Sequence, residues 1–116
     1  MSDRNSLFYL QDILDSIAAI ESFLPGIDRD GFAQDRKTYS ATIRELEIIG
    51  EASGKVHEAI QNLNPDVPWR ILKDFRNVLA HHYFGVNVDI VWDIVQKKLP
   101  ELKEQITQIL IKASQS

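Results

Sequence analysis

The chain has 116 residues, 44% of them hydrophobic and 26% charged, and no cysteine. That composition suits a globular domain with its own core and excludes disordered and fibrous classes, disulfides and thiolate metal sites. The formal net charge of −4 argues against a constitutive nucleic-acid coat, so any RNA contact must come from a local cationic cluster or from two assembled chains.

The polar start Met1-Ser-Asp-Arg-Asn-Ser shows no signal peptide, and no apolar run approaches the roughly 20 residues that span a bilayer. A cytoplasmic protein without membrane contact is expected, since cysteine-free chains suit a reducing compartment.

A first helix is expected from about Asp3 to Leu24, with Leu7, Leu10, Leu14, Ile17 and Leu24 on one stripe. Phe8, Ile13 and Ile20 widen its apolar face, and Pro25-Gly26 ends it. The connection Ile27–Gln34 is acidic, with room for a short helical turn.

The second helix, expected to be the longest, runs from about Asp35 to Leu63 on a stripe of Tyr39, Ile43, Leu46, Ile49, Val56, Ile60 and Leu63. Gly50 and Gly54, four apart in its middle, each cost about 1 kcal/mol relative to alanine in a helix interior. Their reading is close approach by another helix, because no phosphate-loop pattern surrounds them.

Asn64-Pro65-Asp66-Val67-Pro68 breaks that helix and starts a third, through His81 or His82, with Pro68 in its first turn. Ile71, Leu72, Phe75, Val78 and Leu79 form one face at 100° per residue. Arg70, Lys73, Asn77 and His81 line the other, beside Asp74.

After a loop at Tyr83–Val88, Asn87 or Asp89 caps a fourth helix through Ile90–Val95. Pro100 either kinks it or starts a separate one. Leu102, Ile106, Ile109 and Leu110 continue the stripe, and the end frays from Ala113. With no strand-like alternation and no repeat, the expected fold is all-α, an antiparallel bundle of about four or five helices.

Chemistry concentrates in Arg76-Asn-Val-Leu-Ala-His81-His82-Tyr83. Arginine grips phosphate through a fixed fork of donors, and histidine exchanges protons near neutral pH. Arg76 and His81 stand about 140° apart on an ideal helix, flanking a groove floored by Ala80. They converge if the helix loosens after Ala80, or if a second copy packs opposite, which motivates a symmetric dimer through this helix. The plain alternative is a decorated helix end, where cations favour the dipole and Gly85 stops the helix. His81 and His82 point apart, His57 is distant, and no acidic pair has ligand spacing, so neither metal nor cofactor is expected.

Arg76-x4-His81-x-Tyr83 matches the signature of the HEPN superfamily of α-helical ribonucleases. Leu46-Glu-Ile-Ile-Gly-Glu-Ala, Pro68-Trp69-Arg70, the run Arg76 to Gly85, Val91-Trp92 and Leu99-Pro100 resemble its HepT-like branch. The likeness covers nearly the whole chain, residues 1–116 as a single domain.

The resemblance implies a homodimeric, metal-independent endoribonuclease toxin of a HEPN/MNT pair (type VII-like) that cuts RNA by 2′-OH attack. Its partner would be an MNT-type nucleotidyltransferase antitoxin that transfers AMP to the motif tyrosine. Carried over, Arg76 and His81 are catalytic, Asn77 assists, and Tyr83 accepts AMP. His82, at the variable position, receives no role. Lys73 and Arg70 on the same face are candidate RNA contacts. The rival reading is a non-catalytic helical module that docks on a nucleotidyltransferase.

Overall fold

The computed structural model describes residues 2–81 and 87–115, with side chains at 5–75 and 87–115. Among these residues there is helix and no strand. The elements are α1 (Ser2–Phe23), α2 (Arg29–Gln34), α3 (Arg36–Lys55), α4 (Glu58–Leu63), α5 (Trp69–His81), α6 (Val88–Asp93), a π-helical turn (Ile94–Lys98) and α7 (Leu99–Ser114). The protein is an all-α helical bundle. No described helix is long and apolar enough to cross a membrane.

In α1, Leu10, Ile13, Ile17 and Ile20 are fully buried. Their spacing of three and four puts them on one side of the helix. The expected stripe was displaced slightly, because Ile13 and Ile20 sit at its centre while Phe8 is exposed. Helix α3 packs between α1 and α5, burying Leu46, Ile49, Gly50 and Ala52. Helix α7 covers α1 with Leu102, Ile106 and Ile109.

The expected long second helix is two helices. Its chain leaves α-geometry at Val56, which is extended (φ −65°, ψ 134°). Three side chains stabilise the break. Ser6 Oγ accepts from the His57 N–H at 2.8 Å, and His57 Nδ1 caps α4 by accepting from the Ala59 N–H at 3.1 Å. Gln61 Nε2 donates to the Val56 carbonyl at 2.8 Å, a group that a helix end leaves without an intrahelical partner. Rotation of α4 takes Leu63, counted above in the apolar stripe, to 80% exposure. The longest helix is α1.

The acidic connection forms α2, capped by Asp28, which accepts from the Gly31 N–H at 2.8 Å. Phe32 points from it into the core, fully buried, against the rings of Tyr39 and Trp92. Pro100 stands in the first turn of α7, which begins at Leu99 directly after the π-helical turn. Proline lacks an N–H and its ring crowds the carbonyl four residues back. The π-helical turn relieves this by widening the helix just before it, and the Leu99 N–H bonds to the Ile94 carbonyl.

Candidate functional site

The helix that carries the motif is held firmly at its start. Asn64 ends α4, with its Nδ2 donating to the Ile60 carbonyl at 2.8 Å. The Asn64 carbonyl accepts from the Val67 N–H at 3.2 Å and from Trp69 Nε1 at 3.0 Å. Trp69 is only 7% exposed, so its indole buries a large apolar surface while its one donor is satisfied. From α7, Gln105 Nε2 reaches the Asp66 carbonyl at 2.9 Å. The Pro68 carbonyl accepts the first helical bond, from the Leu72 N–H at 3.0 Å. Proline thus precedes α5 rather than standing in its first turn.

Trp69, Leu72 and Phe75 form the buried side of α5. Arg70, Lys73 and Asp74 lie on the exposed side, as the helical spacing predicts. Ile71 departs from that spacing, being 61% exposed at the edge of the apolar face.

Helix α5 runs through to His81, so the backbones of Arg76, Asn77 and His81 belong to one helix. Their side chains lie outside the described residues, as do His82 and Tyr83 entirely. Arg70 and Lys73, the candidate RNA contacts, are brought together in one open concavity between α4 and α5.

Helices α3 and α5 pack together, and Gly54 falls at their contact. Gly50 is buried. A Cβ added at Gly54 would stand 3.3 Å from Lys73 Cδ and 3.4 Å from its Cγ. The close approach expected of these glycines is therefore met at Gly54 by the stem of a motif-helix lysine.

The chain re-enters the bundle at Asn87, whose side chain caps α6 by accepting from the Asp89 N–H at 2.9 Å. Helix α6 then docks on α2, through an ion pair between Arg29 and Asp89 and rings of Phe32 and Trp92 5.2 Å apart. The border of the stretch 82–86 on the α6 side is thus held in the fold. Sequence reasoning missed Arg29 and Phe32. Phe32 was the available signal, a large apolar residue alone in a polar connection.

The Arg29 guanidinium is held above its usual pKa, chiefly by its hydrogen bond to Asp89 and then by that to Asp30. The Asp35 carboxyl, which caps α3, is held below its usual range by hydrogen bonds from the Thr38 hydroxyl and N–H.

Comparison with known proteins places this arrangement. The family model described as "Ribonuclease HepT-like" matches residues 13–109. A candidate RNase of Methanocaldococcus jannaschii is 42% identical over 110 residues, covering 95% of this chain and 91% of its own. A protein of Thermococcus cleftensis named "Probable ribonuclease HepT" is 42% identical over 106 residues, covering 91% and 96%. A second candidate RNase of Methanocaldococcus jannaschii is 37% identical over 106 residues, covering 91% and 97%. No solved structure matches the chain. With its family match spanning most of the sequence, the chain belongs to the HepT-like ribonucleases of the HEPN superfamily.

Proposed function

We propose that this chain is a metal-independent endoribonuclease toxin that works as a homodimer and is silenced by an MNT-type nucleotidyltransferase antitoxin. The observation that carries the dimer is the run of α5 through His81. A helix that continues this far leaves Arg76 and His81 about 140° apart around its axis. The route by which one chain closes its own site, loosening after Ala80, is thereby disfavoured. A second α5 packed opposite supplies the missing partner.

The chemistry needs no metal, because RNA carries its own nucleophile. His81 takes the proton of the 2′-OH, whose oxygen attacks phosphorus as the 5′-oxygen leaves. The His81 of the second copy returns a proton to that leaving oxygen. Arg76 stabilises the charge that builds on the phosphoryl oxygens, and Asn77 orients the phosphate or the imidazole. Tyr83, two residues beyond His81, takes AMP: its oxygen bonds to the α-phosphorus of ATP, pyrophosphate leaves and the phenolic proton is lost. The added charge and bulk then block the cleft.

The test is cleavage of tRNA and mRNA in chelator by protein made without its partner, beside His81→Ala and Arg76→Ala forms shown to fold and dimerise. Wild type alone should cut, leaving a 2′,3′-cyclic phosphate. If an unmodified wild type cuts nothing, or the two variants cut as well as it does, the reading fails. In the first case the non-catalytic docking module takes its place.

A further inference from the structure

We infer that the concavity between α4 and α5 is a subsite for the single-stranded nucleotides that flank the bond being cut. The inference rests on the ribonuclease reading and adds where the rest of the RNA strand is held.

The concavity is open, about 700 Å³, and is lined by Gln61 and Asn62 of α4, Pro65 of the connection, and Arg70, Ile71 and Lys73 of α5. Among the described residues its charged lining is Arg70 and Lys73, with no carboxylate, on a chain whose net charge is −4. Two other hollows are mixed. Between α5 and α7, Asp66 and Glu101 face Lys98, and between α1 and α3, Asp12 and Glu51 face Lys55. Arg29, Lys97 and Lys103 are neutralised by Asp89, Asp93 and Glu21. Arg70 and Lys73 make no ion pair with any described residue. Two cations side by side, in a concavity that no described carboxylate lines, suit a polyanion.

The shape and the remaining residues select single-stranded RNA. Unpaired bases stack on guanidinium planes and apolar side chains and are read on their edges by hydrogen bonds. Arg70 supplies such a plane, while exposed Ile71 and Pro65 supply an apolar wall. The exposed Asn62 amide has no hydrogen-bond partner among the described residues and offers both donor and acceptor to a base edge.

The position is also right. At 1.5 Å per residue, Lys73 lies less than one turn before Arg76 and Arg70 about 9 Å before it on the same helix. A strand that follows α5 from its Arg76–His81 stretch back toward the helix start reaches the concavity. Lys73 is braced there, because its stem lies on the bare backbone of Gly54.

The probe is a short fluorescent RNA with 2′-O-methyl sugars, which cannot be cut through its own 2′-oxygen, with its duplex for comparison. Anisotropy titrations over a range of salt give both affinity and slope. Wild type should bind the single strand more tightly than the duplex. Arg70→Gln with Lys73→Gln should weaken binding about tenfold and reduce the log–log salt slope by about 1.4, at roughly 0.7 per neutralised phosphate. Asn62→Ala should weaken binding with the slope unchanged. Arg70→Gln alone serves as a milder variant, its side chain being exposed.

Equal affinity and slope in wild type and double variant, or no binding by wild type, would overturn the subsite. The patch would then fall to a protein partner. Cleavage of unmodified RNA decides the other question separately. A protein that binds through Arg70 and Lys73 yet cuts nothing keeps the subsite and loses the ribonuclease. One that cuts RNA while indifferent to both substitutions keeps the ribonuclease and loses the subsite.

Discussion

Lys73 lies across Gly54 so closely that a methyl group placed there would stand 3.3 Å from its Cδ. Two opposing effects meet at this contact. Glycine in a helix costs about 0.5–1 kcal/mol relative to alanine, while a new Cβ must push the lysine stem aside by a few tenths of an ångström. Lys73 is exposed and can turn its flexible stem into solvent. Gly54→Ala should therefore stabilise the fold by about 0.5 kcal/mol while weakening single-stranded RNA binding. Thermal unfolding and anisotropy on one preparation check both halves. A clear fall in Tm would show that the stem cannot move.

One of the bonds that hold the start of the motif helix comes from an indole N–H. Trp69→Phe keeps an aromatic ring in the buried slot but leaves the Asn64 carbonyl without that donor. A cost of about 1–2 kcal/mol is expected, the usual range for a lost hydrogen bond with some underpacking. Urea titration should show a lower midpoint at unchanged slope, since the extent of unfolding stays the same.

Asp35 gives the bundle a defined acid sensitivity. Its folded pKa lies below the usual value near 3.9 because Thr38 hydrogen-bonds the carboxylate. Between the folded and unfolded values the unfolded state binds more protons, so stability rises with pH there. The contribution is complete above the unfolded value and is lost as pH falls through the folded one. Asp35→Asn should thus destabilise the protein at pH 6, and the difference should shrink at an acid pH below the folded value, where the wild-type carboxyl is itself neutral. Equal differences at both pH values would assign the effect to packing instead.

How much of this was legible beforehand differs by element. The helical class, the break before α5, the outward face bearing Arg70 and Lys73, and the glycine contact all follow from residue spacing and turn chemistry. Local rules cover such features. The break at Val56 could not be read that way, because its supports are Ser6 from α1 and Gln61 from the next helix. Those partners are set by tertiary packing. The motif residues Arg76, Asn77, His81 and Tyr83 were legible through resemblance to a family, since spacing alone left a decorated helix end equally open.

Phe8 and Phe32 show the same limit and yield a sharper test. By pattern Phe8 belongs to an apolar helix face and Phe32 to a polar connection, yet Phe8 is 60% exposed and Phe32 fully buried. The reason is that α2 turns Phe32 inward between Tyr39 and Trp92, whereas the core side of α1 is already filled by Leu10, Ile13 and Ile17. Phe32→Ala should cost about 3–5 kcal/mol, and Phe8→Ala about 0.5 kcal/mol or less. Because α6 follows the stretch 82–86 and rests on Phe32, the first change should also loosen the chain beyond the motif. Fluorescence in a Trp69→Phe background reports Trp92 alone, since the protein has only two tryptophans. Emission should shift to the red for Phe32→Ala as Trp92 meets water, and stay in place for Phe8→Ala. An unmoved spectrum in the Phe32 variant would mean that α6 holds its seat through Arg29 and Asp89 without the ring.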